Sequence, residues 1–526
     1  MLEPFDNNKG FFMKFSRSFM LGAALALAST PALANSYLNT NVAFNQQVEM
    51  SRADTIVILV PSDTQTLDIQ GLDRTTREQL QRAIEAGEFK GRSGAMLNVI
   101  APVGSAAQRI ILLGVGDLAA ATRVDNEKAG AALITALNSA NAQDVVLNTQ
   151  LINGASNPSL KVAQIAHGMD LRGYHYDRYK SASEERNTIN LTWTATEQAE
   201  GEYNRLAALA EGVFLARELV DMPGRDMGPR AFIEHVRSLE DMGIELTILN
   251  PDQVAEMGMG SMHAVSLGSA EGSWMLAMHW RGSDNAPLAL VGKGNTFDTG
   301  GYNVKTGGGM RTMKTDAAGG AAVAGAIKAL AGQNAPVNVV GVIPLTQNMI
   351  NENSMLPGDI FTAGNGKTIE INNTDAEGRL GLADGLWYAE TTFEPRAIVD
   401  IATLTGAKVR ALGTTYSAVF TDDARMLETL NRAGENTGEI VWQLPMHESY
   451  MATVRSDIAD LVNGGSPGAS AGAMFLREFV EDTPWAHVDM AGNALVQSAS
   501  GIHPRGATGY GVRLLVEWVH VYSQGQ

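Results

Sequence analysis

The sequence predicts two α/β layers in succession: a smaller N-terminal α/β domain (35–200) and a larger C-terminal α/β domain (201–526) with a mixed central sheet flanked by helices. Three observations predict it. Short apolar runs alternate with helix-length stretches, the pattern of an α/β layer. The chain has 526 residues, beyond the ~250 to 300 at which a single core stops growing. A polar stretch at 181–201 separates two such alternations, and a long helical stretch follows it.

In the first half, "ADTIVILVP" (53–61) and "RIILLGVGD" (109–117) are short apolar runs bounded by turn residues, which reads as buried strand. "TTREQLQRAIEAG" and "NEKAGAALITALNSA" read as helices, and the second leads into the strand "DVVLNT". "EGEYNRLAALAEGVFLARELVDMPG" is a long helix closed by Pro223 and Gly224, and it is read as the connection between domains, with a boundary near 200. The second half repeats the alternation with "LTILN", "WMLAMHW", "LALVGKG", "VNVVGVIPL" and "AIVDIATLTG" as strands. Between them, "AAGGAAVAGAIKALAG" is a helix of small residues, suited to lying close against a sheet. Internal repeats and low-complexity tracts are absent from the sequence.

Composition narrows the function. Hydrophobic residues at 45% with charged residues at 18% describe a folded chain. A net charge of -18 without a basic patch speaks against a nucleic-acid surface. With no cysteine, disulfides and thiolate metal sites are excluded, so any metal is held by oxygen or nitrogen.

Residues 1–34 differ in character. Lys14 and Arg17 precede "FMLGAALALAS", and "TPALA" ends at Ala34, with small residues at Ala32 and Ala34. That is the pattern of a secretory signal peptide cleaved after Ala34, with Met13 as an alternative start. The run is too short to span a bilayer. The expectation is therefore an exported protein, periplasmic or secreted, with no membrane association after cleavage. The leader carries Glu3 and Asp6 against Lys9, Lys14 and Arg17, so its removal makes the chain more acidic by one charge.

The chemistry concentrates in three segments. The strand "LALVGKG" runs into "NTFDTGGYNVK", which places Lys293, Asp298 and Lys305 where ligand sites of open α/β sheets lie, at a strand's carboxyl end. Asp316 follows in "MRTMKTDAAGGAA", where small residues permit close backbone approach. In "EINNTDAEGRLGLAD" (370–384), an extended backbone would put Asp375, Glu377 and Arg379 on one face. Four ionised carboxylates in one cleft repel and raise each other's pKa values. Two divalent cations would balance them, as in two-metal hydrolases. A lysine joins such a site as a ligand only in its neutral form.

"NTDAEGRL" (373–380) resembles the signature of the leucyl aminopeptidase family, the cytosol aminopeptidase type of dinuclear-metal peptidase. "VGKGNTFDTGGYNVK" with "MKTDAAGGAA" is similar to that family's other metal segment, and "ATLTGA", "SAGAMFLREF" and "WAHVDMAGNA" continue the resemblance across 200–520. A weaker likeness sits at "GYHYDRYKS" in the N-terminal half. The resemblance implies Lys293, Asp298, Asp316 and Glu377 as ligands of one ion, and Asp298, Asp375 and Glu377 as ligands of the other. It implies two divalent ions per subunit, Zn2+ or Mn2+, and a bicarbonate held by Arg379 as general base, aided by backbone amides near Ala376, Gly378 and Leu404. Lys305 matches the residue that stabilises the tetrahedral intermediate, and Met313, Thr403 and Ala491 match the lining of the pocket for the first side chain. Also implied are removal of leucine-like N-terminal residues from short peptides and a homohexamer of two stacked trimers around an interior cavity. Departures from the family pattern are Asn295 where an aliphatic residue is common, Arg311 for a frequent aspartate, Ala317 for methionine, and "DMPG" for Asn-x-Pro. These are expected to affect loop packing and the pocket rather than the ligands.

Other chemistries lack their residues. "GNGKT" (364–368) has Phe361 where a phosphate-binding loop needs glycine, and reads as a turn between strands. No His-Glu-x-x-His pair occurs among the nine histidines. His487 reads as structural packing near the site. The rival of a different class is a catalytically silent hexameric scaffold or a DNA-binding relative of the same fold. Intact catalytic positions oppose the first, and acidity with export opposes the second.

Overall fold

The structure, a computed structural model, describes residues 37–62, 64–181 and 186–524. The expected signal peptide lies outside them. Six strands form the N-terminal sheet: β1 (Thr40–Phe44), β2 (Thr55–Pro61), β3 (Met96–Ile100), β4 (Arg109–Gly116), β5 (Asp144–Asn148) and β6 (Ile189–Trp193). Their spatial order is β1-β6-β5-β2-β4-β3, parallel except for the β3–β4 pair. Every residue of β2 is buried, as its unbroken apolar run requires of a strand covered on both faces. Helices α1 (Arg74–Ala86), α2 (Arg123–Ser139) and α3 (Pro158–Gly173) start where the sequence supplies caps. Asp73 accepts from the Thr76 amide at 2.7 Å, Thr122 and Asp125 form a capping box, and Asn157 caps a helix with proline in its first turn.

β6 falls inside the stretch 181–201 that reads as polar. Ile189, Leu191 and Trp193 are buried while Asn190 is exposed, so the period is that of a half-buried strand, and β6 fills the gap between β1 and β5.

Helix α4 (Glu197–Asp221) follows directly, and residue 200 lies in its first turn. Its apolar residues join the core of the second sheet, and Arg217, fully buried, ties it to two other segments. The guanidinium donates to the carbonyls of Leu171 in α3 (2.5 Å), Thr508 (3.1 Å) and Ile502 (3.3 Å). Arg217→Leu would strand three carbonyls and is expected to destabilise by about 3 kcal/mol, roughly one per carbonyl. Denaturant unfolding reads this as a lowered midpoint; an unchanged midpoint would mean water replaces the guanidinium.

The larger sheet contains β7 (Glu245–Leu249), β8 (Trp274–Arg281), β9 (Leu288–Gly292), β10 (Gly294–Asp298), β11 (Asn338–Asn348), β14 (Ala397–Ala402), β15 (Ser417–Phe420), β16 (Val441–Gln443) and β18 (Trp485–Asp489). It runs β16-β15-β18-β14-β9-β11-β8-β7, with β10 paired to the end of β11. The sheet is mixed: β9, β11, β14 and β18 are mutually parallel, while β7–β8, β8–β11 and β15–β18 are antiparallel. Alternate residues of β9 feed opposite cores, Leu288 and Leu290 on one face and Ala289 and Val291 on the other. Ala318–Gly332, the small-residue helix, covers the first face, and Gly378–Phe393 the second. "GNGKT" closes a hairpin between β12 (Ile360–Thr362) and β13 (Thr368–Glu370), with β13 also paired to β17 (Leu461–Val462), so it is a turn as its sequence suggests. Among the described residues, no helix is long and apolar enough to cross a membrane.

Candidate active site

The site gathers at the carboxyl ends of β9, β10 and β14. Lys293 comes one residue after β9, and its amide bonds the Ile401 carbonyl of β14 at 3.1 Å. β10 then departs along β11, with a register shift between Asn295 and Asp298 that ends the strand on the Asp298 carboxylate. Asp316 ends a 3₁₀ turn, Met310–Ala317, just before the small-residue helix.

The segment carrying Asp375, Glu377 and Arg379 is not extended, so these side chains do not share a face by strand alternation. Asn373 curls the chain: its side chain accepts from the Asp375 amide (2.9 Å) and its carbonyl from the Ala376 amide (3.1 Å). Glu377 has helical angles, and Arg379 lies in the first turn of Gly378–Phe393. A turn plus a helix start brings the two acids to the cleft. The Asn373 side chain explains why the chain bends here rather than running on.

Two ammonium groups knit the four acids together. Lys293 Nζ lies 2.8 Å from Asp316 and 2.9 Å from Glu377, while Lys305 Nζ lies 2.6 Å from both Asp298 and Asp375. Asp298, Asp375 and Glu377 each bring a carboxylate oxygen within 4.8 Å of the others. Asp316 joins from the side through Lys293 and through Asn295, whose side-chain amide donates to Asp316 (2.9 Å) and Glu377 (3.2 Å). Lys293, Asp298, Asp316 and Glu377 are buried, whereas the Asp375 and Lys305 side chains retain 33% and 21% exposure and mark the open mouth.

The electrostatics show what the cluster lacks. Burial opposes the charge of Lys293, but Asp316, Glu377 and Asp298 hold its pKa above the ordinary lysine value. Burial and the charge of Asp298 push Glu377 up to about 8 against the pull of Lys293. Asp298 is raised by burial and by Asp316, while for Asp316 burial is opposed by Lys293, Lys305 and Asn295, which together hold its pKa below the ordinary carboxylate value. Four carboxylates against two ammoniums leave two negative charges uncompensated, and Glu377 Oε2 is buried without a hydrogen-bond partner. A buried, oxygen-rich donor set with surplus negative charge and a bare carboxylate oxygen fits divalent cations.

The description "Cytosol aminopeptidase family, catalytic domain" matches residues 214–516, and the N-terminal domain of that family matches 56–183. The chain belongs to the cytosol aminopeptidase family. A probable cytosol aminopeptidase of Shewanella oneidensis is 41% identical over 471 residues, covering 89% of this chain and 94% of that one. One from Sinorhizobium fredii is 40% identical, covering 84% and 90%. Among solved structures, a mutant of tomato leucine aminopeptidase has a TM-score of 0.80 at 32% identity, covering 92% of this chain and 97% of that chain. The bottromycin maturation enzyme BotP in complex with Mn has a TM-score of 0.79 at 30% identity, covering 90% and 100%. The chain is accordingly a metal-dependent aminopeptidase, a hydrolase of two α/β domains.

The remaining expected residues of the aminopeptidase divide into two groups. Arg379 is buried, with Nε and Nη1 lacking a hydrogen-bond partner, and burial lowers its pKa to about 10. Of the three amides expected beside it, that of Ala376 is already bonded to Asn373, and that of Leu404 to Asp489 at 3.1 Å. Asp489 also accepts from the Ala491 amide (3.0 Å) and the Thr405 hydroxyl (2.7 Å), so it joins the loop after β14 to the loop after β18. Thr403, expected to line a pocket, donates its hydroxyl to Asp316 at 2.9 Å, and Met313 is half-buried one 3₁₀ turn before Asp316. His487 bonds Asp400 at 2.6 Å and stacks on Phe420.

Sequence reasoning missed three supports. Asn348, at the end of β11, donates to Asp298 at 2.8 Å and to the Thr374 carbonyl at 3.0 Å. Asn463 accepts from the Asn372 and Asn373 amides and donates to the Asn373 carbonyl, pinning the turn before Asp375. Asn295, expected to affect loop packing and the pocket rather than the ligands, bonds two of the four acids. The one signal in the sequence was its departure from an aliphatic residue.

Proposed function

We propose that this aminopeptidase removes N-terminal residues, leucine-like ones preferred, from short peptides, using two divalent ions, Zn2+ or Mn2+. The observation that carries the reading is the convergence of four carboxylates from three chain segments, around two lysines, in one buried cleft. Lys293, Asp298, Asp316 and Glu377 would hold one ion, and Asp298, Asp375 and Glu377 the other. Bound there, the ions would acidify a water and polarise the scissile carbonyl. Lys305, whose side chain keeps 21% exposure beside Asp298, would stabilise the developing oxyanion. Asp316 would receive the free amine of the substrate, which makes the reaction an exopeptidase one. Arg379 would hold a bicarbonate that moves the proton, a role supported by its two unpartnered buried nitrogens. With the Leu404 and Ala376 amides engaged, the guanidinium would be the main anchor of that anion.

Purified protein incubated with leucine p-nitroanilide and Mn2+ or Zn2+ is expected to release nitroaniline, to stop with a chelator and to resume when metal is returned. Absence of chelator-sensitive release would favour the scaffold reading.

We also propose export with cleavage after Ala34, supported by the leader's basic flank, apolar run and Ala-x-Ala close. The relatives carry "cytosol" in their names, so cell fractionation with N-terminal sequencing decides the point. A homohexamer is proposed from the family resemblance, and light scattering at six times the monomer mass would support it.

A further inference from the structure

We propose that Asn295 is a positioning residue of the cation site: its side-chain amide ties the Asp316 carboxylate to that of Glu377 and thereby raises the affinity for divalent ions. The inference rests on the reading of Asp316 and Glu377 as ligands. Asn295 is 1% exposed. Its Nδ2 donates to Asp316 Oδ2 at 2.9 Å and Glu377 Oε1 at 3.2 Å. Its Oδ1 accepts from the Asn348 amide at 3.3 Å and from the Thr346 hydroxyl at 3.4 Å. The opposite amide orientation would set Oδ1 against two carboxylates and Nδ2 against a backbone N–H, so the hydrogen-bond surroundings define the donor side.

The two acids belong to segments 61 positions apart in sequence, and two carboxylates in one buried site repel. Before an ion arrives, only groups that bond both can hold them together. Lys293 is one, through Asp316 at 2.8 Å and Glu377 at 2.9 Å. Asn295 is the other. The two bonds take up Oε1 of Glu377 and leave Oε2 bare. Lys293 is itself read as a ligand and must surrender a proton to act so, whereas the Asn295 amide carries no charge and has no proton to surrender. An aliphatic side chain at 295 would fill the space but donate nothing. Groups that orient ligand residues in this way typically account for about 10- to 100-fold in metal affinity.

The test uses the full chain stripped of metal. Wild type and the near-isosteric Asn295→Leu are titrated with Mn2+ by calorimetry, the visible absorption of each Co2+-loaded protein is recorded, and the rise in Tm on adding Mn2+ is measured. The expected result is about tenfold weaker binding of at least one ion, a changed Co2+ spectrum and a smaller metal-induced rise in Tm. A merely structural role would lower Tm equally with and without metal. Affinities within threefold of wild type with an unchanged Co2+ spectrum overturn the proposal. If wild type itself takes up no Mn2+, the reading of the site fails and the inference falls with it. Should Asn295→Leu not fold, Asn295→Ser, whose hydroxyl is too short to span both acids, decides by the same threshold. Failure of both to fold would assign Asn295 to the fold and overturn the proposal.

Discussion

Replacing Lys305 by alanine is expected to lower kcat on leucine p-nitroanilide by at least about 100-fold, the scale of losing one oxyanion stabiliser. Lys305 and Lys293 both contact two acids, but they differ in access. Lys305 retains 21% side-chain exposure and Lys293 only 5%, so Lys305 lies on the open side of the cluster. Its charge is secure there. Burial works against protonation, yet Asp298 and Glu377 raise its pKa above the ordinary lysine value. A charged ammonium at this position can meet negative charge as it develops on the substrate. Glu377→Ala is expected to cost kcat at least as much by a different route, since it would remove the carboxylate proposed to be shared between the ions. Metal content separates the two. Lys305→Ala should retain its ions by elemental analysis, and Glu377→Ala should lose them. Near wild-type turnover in Lys305→Ala would remove this lysine from the mechanism.

Parts of this arrangement were legible in sequence because they rest on strong local signals. β2, β4, β9, β11 and β14 are apolar runs buried on both faces, and such runs need no tertiary information to be recognised. The acids and lysines were legible too, because a cluster of charge beside strand ends is unusual enough to demand an explanation. β6 and β10 were not recognised. β6 has only five residues with two polar ones, and "GNTFD" in β10 reads as loop until β11 is seen to extend past β9 and offer it an edge. The geometry around Glu377 was misread for a related reason. Alternation in sequence implies a shared face only in an extended chain, and the Asn373 side chain bends this one. The supports Asn295, Asn348 and Thr403 act across 21 to 87 positions of sequence, and pairings of that span are not encoded in local pattern.

Gly378→Ala is expected to reduce kcat by about 100-fold, the scale reached when a reacting group is displaced by about 1 Å, while leaving the fold intact. Gly378 opens the helix Gly378–Phe393 and needs no unusual backbone angle, so alanine's better helix propensity, about 1 kcal/mol, would ordinarily stabilise the chain. Space decides otherwise. A Cβ at 378 would lie 2.3 Å from Lys293 Cε and 2.5 Å from its Nζ. A free lysine would swing aside, but this one is 4% exposed and held by Asp316 and Glu377 on either side. Moving it breaks those pairs. Moving the helix instead carries Glu377, the residue immediately before Gly378, out of the cluster. Either response spoils the site, and neither touches the hydrophobic cores. The variant should therefore keep its circular dichroism and its metal-free Tm while losing turnover and metal affinity. Wild-type turnover would show that Lys293 can shift without consequence, and its place among the ligands would then have to be given up.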